Sequence, residues 1–406
     1  MKAAEEEPRA QINLIVLYLA VGFLFLLLTT YLYLSLKHAS GTAFVDAAVY
    51  ARAIATWQGG GNPYVTPQGL LPFVYPPIFL RGATALGSVL SWHAGWYAYL
   101  AIEGVCVVAI PWLLTTVYVR SRWLTPVIAM VIFTLQPGFA EEGVLLTGNI
   151  ANFVYPLALA AGIAGIRRNK WLPFLIVVGA ASVLKPTFLG LLILPLLAGE
   201  RQMVRCVLCV SSVLLVYLLQ RILLPQSYAA FQHNVFTEIM VRGDAGFNIF
   251  NYLHRQGHTF LFLRNPIVPS LIQFAIIGAI VAGFFLMRGR RKRAVVADLW
   301  VPALLVVAIL SNMRMQHIDA DIAVVPSLYL CIECIRRIPV NQQKLAGLAV
   351  AFVVVEFLLV KQFEMGFLII LYGSVLLVLF LLVKETSQQD SGSSTEPGAA
   401  LPGKLT

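Results

Sequence analysis

The sequence predicts an all-α fold, a polytopic bundle of transmembrane helices. Of its 406 residues, 59% are hydrophobic and only 12% are charged, and the mean hydropathy is +0.81. At least nine runs of about 17–25 apolar residues are long enough to cross a ~30 Å hydrocarbon core. Soluble domains of ordinary composition do not have these properties. We therefore expect about 11–12 membrane helices, two of them short.

The net charge of +10 has a topological explanation. Basic residues such as Arg120, Arg167 and Arg336 fall between apolar runs, and cytoplasmic loops of membrane proteins collect Lys and Arg. No basic patch belongs to a soluble fold, so the charge does not indicate nucleic-acid binding. The first apolar run, Ile12–Leu36, is too long for the core of a cleavable signal peptide, and we expect it to remain as an anchor.

The apolar runs predict crossings that alternate across the membrane. Ile12–Leu36 runs outward into a first outer loop at 37–92, where aromatics, proline and the helical spacing of Val45–Trp57 predict interfacial helices. A second outer loop occupies 224–265. Residues 1–386 thus form one transmembrane domain, and 387–406, rich in Ser, Gly and Pro, a disordered tail, with both termini cytoplasmic. The other predicted crossings are a span ending at Arg120, Leu124–Phe139, Ile150–Ile166, a hairpin within Trp171–Ala198, Met203–Leu223, Pro266–Met287, Val295–Leu310 and three spans ending at Lys384.

Lys185-Pro186 interrupts the apolar stretch Trp171–Ala198 near its middle. A lysine at membrane depth costs roughly 2.5–3.5 kcal/mol on insertion scales, which makes it a functional candidate. Both flanks of the stretch are basic, and the positive-inside rule places both in the cytoplasm. We therefore predict two short helices that meet at Lys185, since proline ends or kinks a helix at the preceding residue. The ammonium would lie just under the outer surface, where an anion is its natural partner.

A rival threading makes Ile78–Leu90 a full span and 171–198 a single crossing. It sends Arg120, Arg167 and their basic neighbours outward, against the positive-inside rule. The two threadings differ in whether the ends of the 171–198 stretch lie on the same side of the membrane.

The five cysteines include two pairs with CxxC spacing, Cys206/Cys209 and Cys331/Cys334. A metal site is the open alternative for such pairs, but no nearby loop supplies the tight turn that metal sites usually have. We interpret them as reduced thiols that pack as small apolar residues. The predicted outer loops contain no cysteine, which argues against structural disulfides there.

Polar residues predicted on the outer side combine carboxylates with cations. A membrane enzyme that transfers a group from a phosphate-bearing lipid needs a carboxylate base beside the acceptor hydroxyl and cations that hold the leaving phosphate. Asp46 fits the first role and Lys185, with an arginine, the second. Asp46 also has a simpler explanation, because a carboxylate near a helix start favours the helix dipole, and Glu103 could pair with another buried polar group. The polar features expected to converge are Asp46, Gly148-Asn149, Lys185, Arg242 with Asp244, and Arg314 with His317, Asp319 and Asp321.

An ordered set of short motifs begins with Asp46-Ala-Ala-Val-Tyr50, Gly60-Gly61-Asn62-Pro63-Tyr64 and Tyr75-Pro76-Pro77. Gly148-Asn149-Ile-Ala-Asn152 and Leu184-Lys185-Pro186 follow. Together these motifs resemble glycosyltransferase family 87, GT-C-fold enzymes that use polyprenyl-phosphate sugars. The family's usual G-Q-x-N turn has Gln where this chain has Asn149. Its histidine-containing outer turn resembles Met313–Pro326.

The resemblance implies a GT-C fold, with Asp46 as the catalytic carboxylate, Lys185 as a ligand of the lipid phosphate and His317 in the active site. Apart from the resemblance, we expect Tyr64, Trp57 and Tyr75 to stack on sugar faces, although interface anchoring explains them as well. The second outer loop matches the family poorly, so an arginine there is the least specific of these assignments. The further candidate substrate-binding residues are Arg242, Arg314, Tyr50, Tyr64, Tyr75 and Asn149.

The expected function is that of an inverting glycosyltransferase in the cytoplasmic (inner) membrane, with its active site facing outward. It would move a hexose, with mannose as the expected sugar, from a polyprenyl-phosphate sugar to a hydroxyl of a glycolipid or polysaccharide. Because the leaving group is a lipid monophosphate, neither a cofactor nor a metal is required. The alternative is a transporter or flippase for a lipid-linked or anionic solute, whose ionisable groups should cluster near the midplane. A scaffold subunit is a third reading.

Overall fold

The computed structural model describes residues 45–67, 70–87, 92–118, 148–199, 201–237, 248–288, 299–312, 315, 317–337, 343, 347 and 364–392. All regular secondary structure in these ranges is helical, which confirms the all-α prediction. The predicted spans Ile12–Leu36 and Leu124–Phe139 lie outside the described residues. Numbered along the described chain, the helices are α1 (Val45–Gln58), α2 (Pro77–Gly87), α3 (Trp92–Tyr118), α4 (Ala151–Arg168), α5 (Leu172–Leu184), α6 (Ile193–Ala198), α7 (Met203–Leu223), α8 (Pro225–Phe236), α9 (Ile249–Arg255), α10 (Ile267–Met287), α11 (Trp300–Leu310), α12 (His317–Arg336) and α13 (Glu364–Gly392), with 3-10 segments at Pro186–Leu192, Gln256–His258 and Leu261–Arg264.

Two helices of the described chain, α7 and α10, are long and apolar enough to cross a membrane by length and composition. The predicted span Met203–Leu223 coincides with α7, and Pro266–Met287 differs from α10 by one residue. Only 17% and 22% of their most apolar windows are buried within the protein, so both helices carry wide exposed apolar faces. The last helix, α13, continues past Ser387, the predicted start of the tail, to Gly392.

The core of the bundle is centred on α11. From Ala303 to Leu310 no residue is more than 6% exposed, and a helix that is apolar on all sides belongs in a core. Burial of each such Leu, Ile or Val side chain contributes roughly 1.5–3 kcal/mol. Helices α6, α12 and α13 and the 3-10 segment Pro186–Leu192 pack around α11. This arrangement surrounds the predicted hairpin with buried partners.

The stretch from Trp171 to Ala198 folds back on itself at Lys185, as predicted. Lys185 is extended, with φ −139° and ψ 100°, a conformation that the following proline favours over the helical one. A methyl group added to Gly199 would lie 2.6 Å from Trp171 Nε1, so the two ends of the stretch are in contact. A single straight helix would separate them by roughly 40 Å. The single-crossing alternative for this stretch is therefore wrong.

Helices α5 and α7 run parallel. Cys209 Sγ lies 3.5 Å from the carbonyl oxygen of Leu175, and further along both helices Tyr217 Oη donates to the carbonyl of Ser182 at 3.4 Å. Both helices therefore start at the same end of the bundle, where α4 and α10 finish, and Lys185 lies at the opposite end. We call the first end the basic end, after Arg167, Arg168, Lys170, Arg201, Arg205 and Arg288.

The two segments predicted as large outer loops pack against each other at the end opposite the basic end. A second hydrophobic core joins α1, α2 and the aromatic segment between them to α8. Asn234 Nδ2 of α8 donates to the carbonyl oxygens of Tyr64 at 2.9 Å and Phe73 at 3.2 Å. The described part of α2, Pro77–Gly87, is roughly 16 Å long, about half of a ~30 Å hydrocarbon core. We call this unit the loop module.

Candidate functional site

Asp46 meets the turn that precedes α4. It lies in the first turn of α1 and is partly buried. Asn149 Nδ2 donates to Asp46 Oδ2 at 2.8 Å, and Asn149 Oδ1 accepts from the backbone N–H of Ala151 at 3.0 Å. The second bond fixes the orientation of the amide, because only its oxygen accepts. Its amino group therefore faces the carboxylate.

The turn that contains Gly148 and Asn149 is stabilised by its backbone conformation and by contacts with α3. Gly148 has φ 66°, a left-handed conformation that glycine adopts without a steric penalty. The hydroxyl of Tyr99 on α3 donates to the carbonyl of Gly148, and the ring of Tyr99 lies 4.9 Å, centroid to centroid, from that of Phe153. These contacts hold the turn that carries Asn149 against α3.

A second carboxylate meets the same end of α4. Glu103 of α3 is fully buried, and its Oε1 accepts from Asn152 Nδ2 at 2.6 Å. Asn152 is itself fully buried. The expectation that Glu103 pairs with another buried polar group is confirmed, and the bond offsets part of the cost of burying a carboxylate.

Lys185 lies beside an acidic side chain from a distant part of the chain. Its Nζ is 3.9 Å from Asp319 Oδ2, with the two side chains 12% and 0% exposed, and 5.7 Å from the ring centroid of Phe188. Asp319 belongs to the first turn of α12, where a carboxylate favours the helix dipole. It also accepts hydrogen bonds from the hydroxyl of Tyr155 and from Asn312 Nδ2 at 3.0 Å.

The first two turns of α4 and the preceding turn thus gather three carboxylates from three other helices. Asn149 contacts Asp46, Asn152 contacts Glu103, and Tyr155 contacts Asp319 and through it Lys185. The Cα atoms of residues 149 and 155 are separated by roughly 9 Å at helical rise. The arrangement therefore places a partly accessible carboxylate and a paired ammonium around one helix start. We call it the α4 cluster.

Tyr50, Tyr64 and Tyr75 do not present open ring faces. They are 7%, 4% and 8% exposed, and they belong to the core of the loop module. The hydroxyls of Tyr50 and Tyr75 are 2.7 Å apart, and Tyr64 Oη donates to the carbonyl of Tyr75 at 3.0 Å. Stacking on a sugar needs an accessible face, so the structure corrects the stacking role predicted for Tyr64 and Tyr75 to one in packing.

Burial also sets the protonation of these phenols. It raises the pKa of Tyr64 above its usual value. It also raises the pKa of Tyr50, and the nearby Tyr75 and Asp46 add to that shift. A phenol is neutral at physiological pH even in water, and burial of both side chains favours that form still more strongly.

The structure describes the remaining candidate site residues, His317, Arg242 and Arg314, only in part. His317 is the first residue of α12, two positions before Asp319, and its side chain lies outside the described residues, as do Arg242 and Arg314. Sequence reasoning missed Tyr155 and Asn312 as partners of Asp319. The sequence did contain a signal for Tyr155, because this residue follows Asn152 at the i,i+3 spacing that places side chains on the same face of a helix.

The described cysteines are free thiols. Cys206 Sγ lies 3.9 Å from the carbonyl oxygen of Leu192 and Cys209 Sγ 3.5 Å from that of Leu175, so the two thiols contact different segments. Among the described residues, no group of three His, Cys, Asp or Glu side chains is placed to hold a metal ion.

No protein-family model matches the chain, no curated protein matches it, and no solved structure matches it.

Proposed function

We propose that the protein is an integral-membrane inverting glycosyltransferase of the GT-C type. It transfers a hexose, with mannose as the expected sugar, from a polyprenyl-phosphate sugar to a hydroxyl of a glycolipid or polysaccharide at the outer face of the membrane. The observation that carries the proposal is the α4 cluster. It brings the carboxylate and the lysine that resemble family 87 residues to the same helix start, although 139 positions separate Asp46 from Lys185 in the sequence.

Asp46 is the proposed general base. A carboxylate has about four lone-pair sites on two oxygens, and the bond from Asn149 occupies one site on Oδ2. The acceptor oxygen attacks the anomeric carbon, its proton passes to Asp46, and the bond from that carbon to the phosphate oxygen breaks. The electron pair of this bond leaves with the lipid phosphate. A single in-line displacement inverts the anomeric configuration.

Lys185 is the proposed phosphate ligand. As the glycosidic bond breaks, the lipid phosphate gains one negative charge, and a preorganised cation stabilises that charge in the transition state. Asp319 neutralises the ammonium while no donor is bound, and its bonds to Tyr155 and Asn312 keep it in place. The helix break at Lys185 supports the role, because an extended residue at the apex of a hairpin projects its side chain at the end of the bundle that carries Asp46.

Two variants test the proposal in membranes supplied with radiolabelled polyprenyl-phosphate sugars. Asp46→Asn keeps the size of the side chain but removes the base, so transfer to lipid or polysaccharide should fall about 10²-fold or more, with donor binding nearly unchanged. Lys185→Ala should weaken donor binding and turnover together, because the phosphate is held in both ground and transition states.

Two controls make the same chemical changes elsewhere. Glu333→Gln alters a carboxylate near the last turn of α12, where it pairs with Arg336 and Arg337, and Lys384→Ala removes an exposed lysine of α13. Both should transfer sugar at the wild-type rate. Wild-type transfer by Asp46→Asn would end the assignment of the base, and transfer from none of the supplied donors would end the proposal itself.

A transporter or flippase for a lipid-linked or anionic solute is the second candidate. The buried group of Lys185, Asp319 and Tyr155 favours it, because ionisable residues inside a membrane bundle often mark a solute path. A transporter would lose substrate movement in Lys185→Ala and keep it in Asp46→Asn. Movement of labelled lipid across vesicles without any change in its sugar would favour this candidate over transfer.

A further inference from the structure

Helices α5 and α7 leave an apolar groove of about 370 Å³ between them. It follows α5 from Leu172 to Val183, a distance of roughly 16 Å at helical rise. Leu172, Ile176 and Leu208 line it and are each 61% exposed. Gly179 forms part of the wall, where an added methyl group would lie 3.2 Å from Cys209 Sγ. The groove is therefore open, long and narrow.

One end of this groove is positively charged. Arg205 lines it and lies in the first turn of α7, at the basic end of the bundle. Its side chain is exposed and donates to Gln202 Oε1 at 3.3 Å. Five further cations lie at the same end of the bundle. The sequences of the two turns that connect α4 to α5 and α6 to α7 contain one acidic residue, Glu200.

We propose that this groove binds one diacyl phospholipid with an anionic headgroup. The headgroup phosphate accepts hydrogen bonds from the guanidinium of Arg205, which suits phosphate through its planar fork of donors, and one acyl chain lies along the apolar wall. Basic pockets between membrane helices on the cytoplasmic side are suited to anionic headgroups. Charge complementarity at the basic end selects the anionic class over zwitterionic lipid.

The geometry separates this site from the proposed donor site. Lys185 contacts Asp319 of α12 and the ring of Phe188, whereas α7 packs on α5, α6 and α8. A phosphate at Lys185 therefore lies on the α12 side of α5, at the end of that helix opposite Arg205. The polyprenyl chain of a donor is the competing occupant.

The test uses the full-length protein reconstituted in vesicles of equimolar phosphatidylglycerol and phosphatidylcholine, followed by extraction and native mass spectrometry of the retained lipids. The wild type should retain phosphatidylglycerol in preference. Arg205→Ala should lower the ratio of retained phosphatidylglycerol to phosphatidylcholine about 5-fold, the effect of one basic side chain at an anionic lipid surface. Arg221→Ala, which removes a cation from the last turn of the same helix, should leave the ratio unchanged.

A second variant fills the groove without touching the charge. Ser212 lines it and bonds only back to Leu208 of its own helix, so Ser212→Leu should keep the fold and lower retention of both lipids. Equal retention of the two lipids by the wild type, or equal effects of Arg205→Ala and Arg221→Ala, would overturn the proposal. Displacement of phosphatidylglycerol by an added polyprenyl phosphate would assign the groove to the donor chain instead. No arm of this test requires transferase activity, so its result is independent of the proposed function.

Discussion

Asn149→Asp is the sharpest perturbation of the α4 cluster, because it changes one contact and keeps the local backbone. The new side chain retains an oxygen that accepts from the N–H of Ala151, as Asn149 Oδ1 does at 3.0 Å. The donor that lies 2.8 Å from Asp46 Oδ2 is replaced by a second carboxylate oxygen. The turn before α4 should therefore survive while Asp46 loses a hydrogen bond and gains a like charge.

The size of the expected effect on Asp46 follows from its contact with residue 149. A hydrogen bond to a charged group contributes about 1.5–3 kcal/mol. Two charges about 4 Å apart repel by about 4 kcal/mol at an effective dielectric constant near 20. Two carboxylates that share a site cannot both ionise readily, so the pair should bind a proton at neutral pH and block proton acceptance. Sugar transfer should fall about 10²-fold at pH 7 and partly recover as the pH is raised.

The assay is the rate of transfer from a radiolabelled polyprenyl-phosphate sugar between pH 6 and 9, with donor binding measured separately. Asn149→Gln, which introduces the residue usual in the family that the motif resembles, should retain most activity and serves as the matched control. Asn149→Ala removes the donor without adding a charge and should show a smaller loss with no recovery at high pH. A wild-type profile for Asn149→Asp would show that the contact with Asp46 has no part in the reaction.

Two other predictions concern topology and packing. Single cysteines at exposed positions 168 and 203 should react with a membrane-impermeant thiol reagent from the same side, and one at position 58 from the opposite side; labelling of 168 and 203 from different sides would refute the hairpin threading. Tyr75→Phe should destabilise the protein by about 1–3 kcal/mol in thermal unfolding, because it deprives the buried hydroxyl of Tyr50 of its partner at 2.7 Å. Tyr97→Phe, at a residue that is 68% exposed, should have no measurable effect, and an equal loss in both variants would contradict the packing role.

The helices and the break at Lys185 were predictable because their causes are local. The length of an apolar run determines where a helix such as α7 can extend. Pro186 disfavours the helical conformation at Lys185, although α4 and α12 each continue through a proline, at Pro156 and Pro326. Basic residues at both ends of one apolar stretch predicted the fold-back that the contact of Trp171 with Gly199 shows. These features need no knowledge of which segments meet.

The partners within the α4 cluster were decided by tertiary structure. Sequence reasoning expected Asp46, Asn149, Lys185 and Asp319 to converge, yet only packing shows that Asn149 bonds Asp46 and that Asp319 lies beside Lys185. The burial of the tyrosines in the loop module was likewise not predictable, because an interfacial segment and a small aromatic core have similar amino-acid compositions. The physical reason is that a buried carboxylate or phenol needs specific partners, and those partners come from helices far apart in sequence, where no periodicity within one segment reports the pairing.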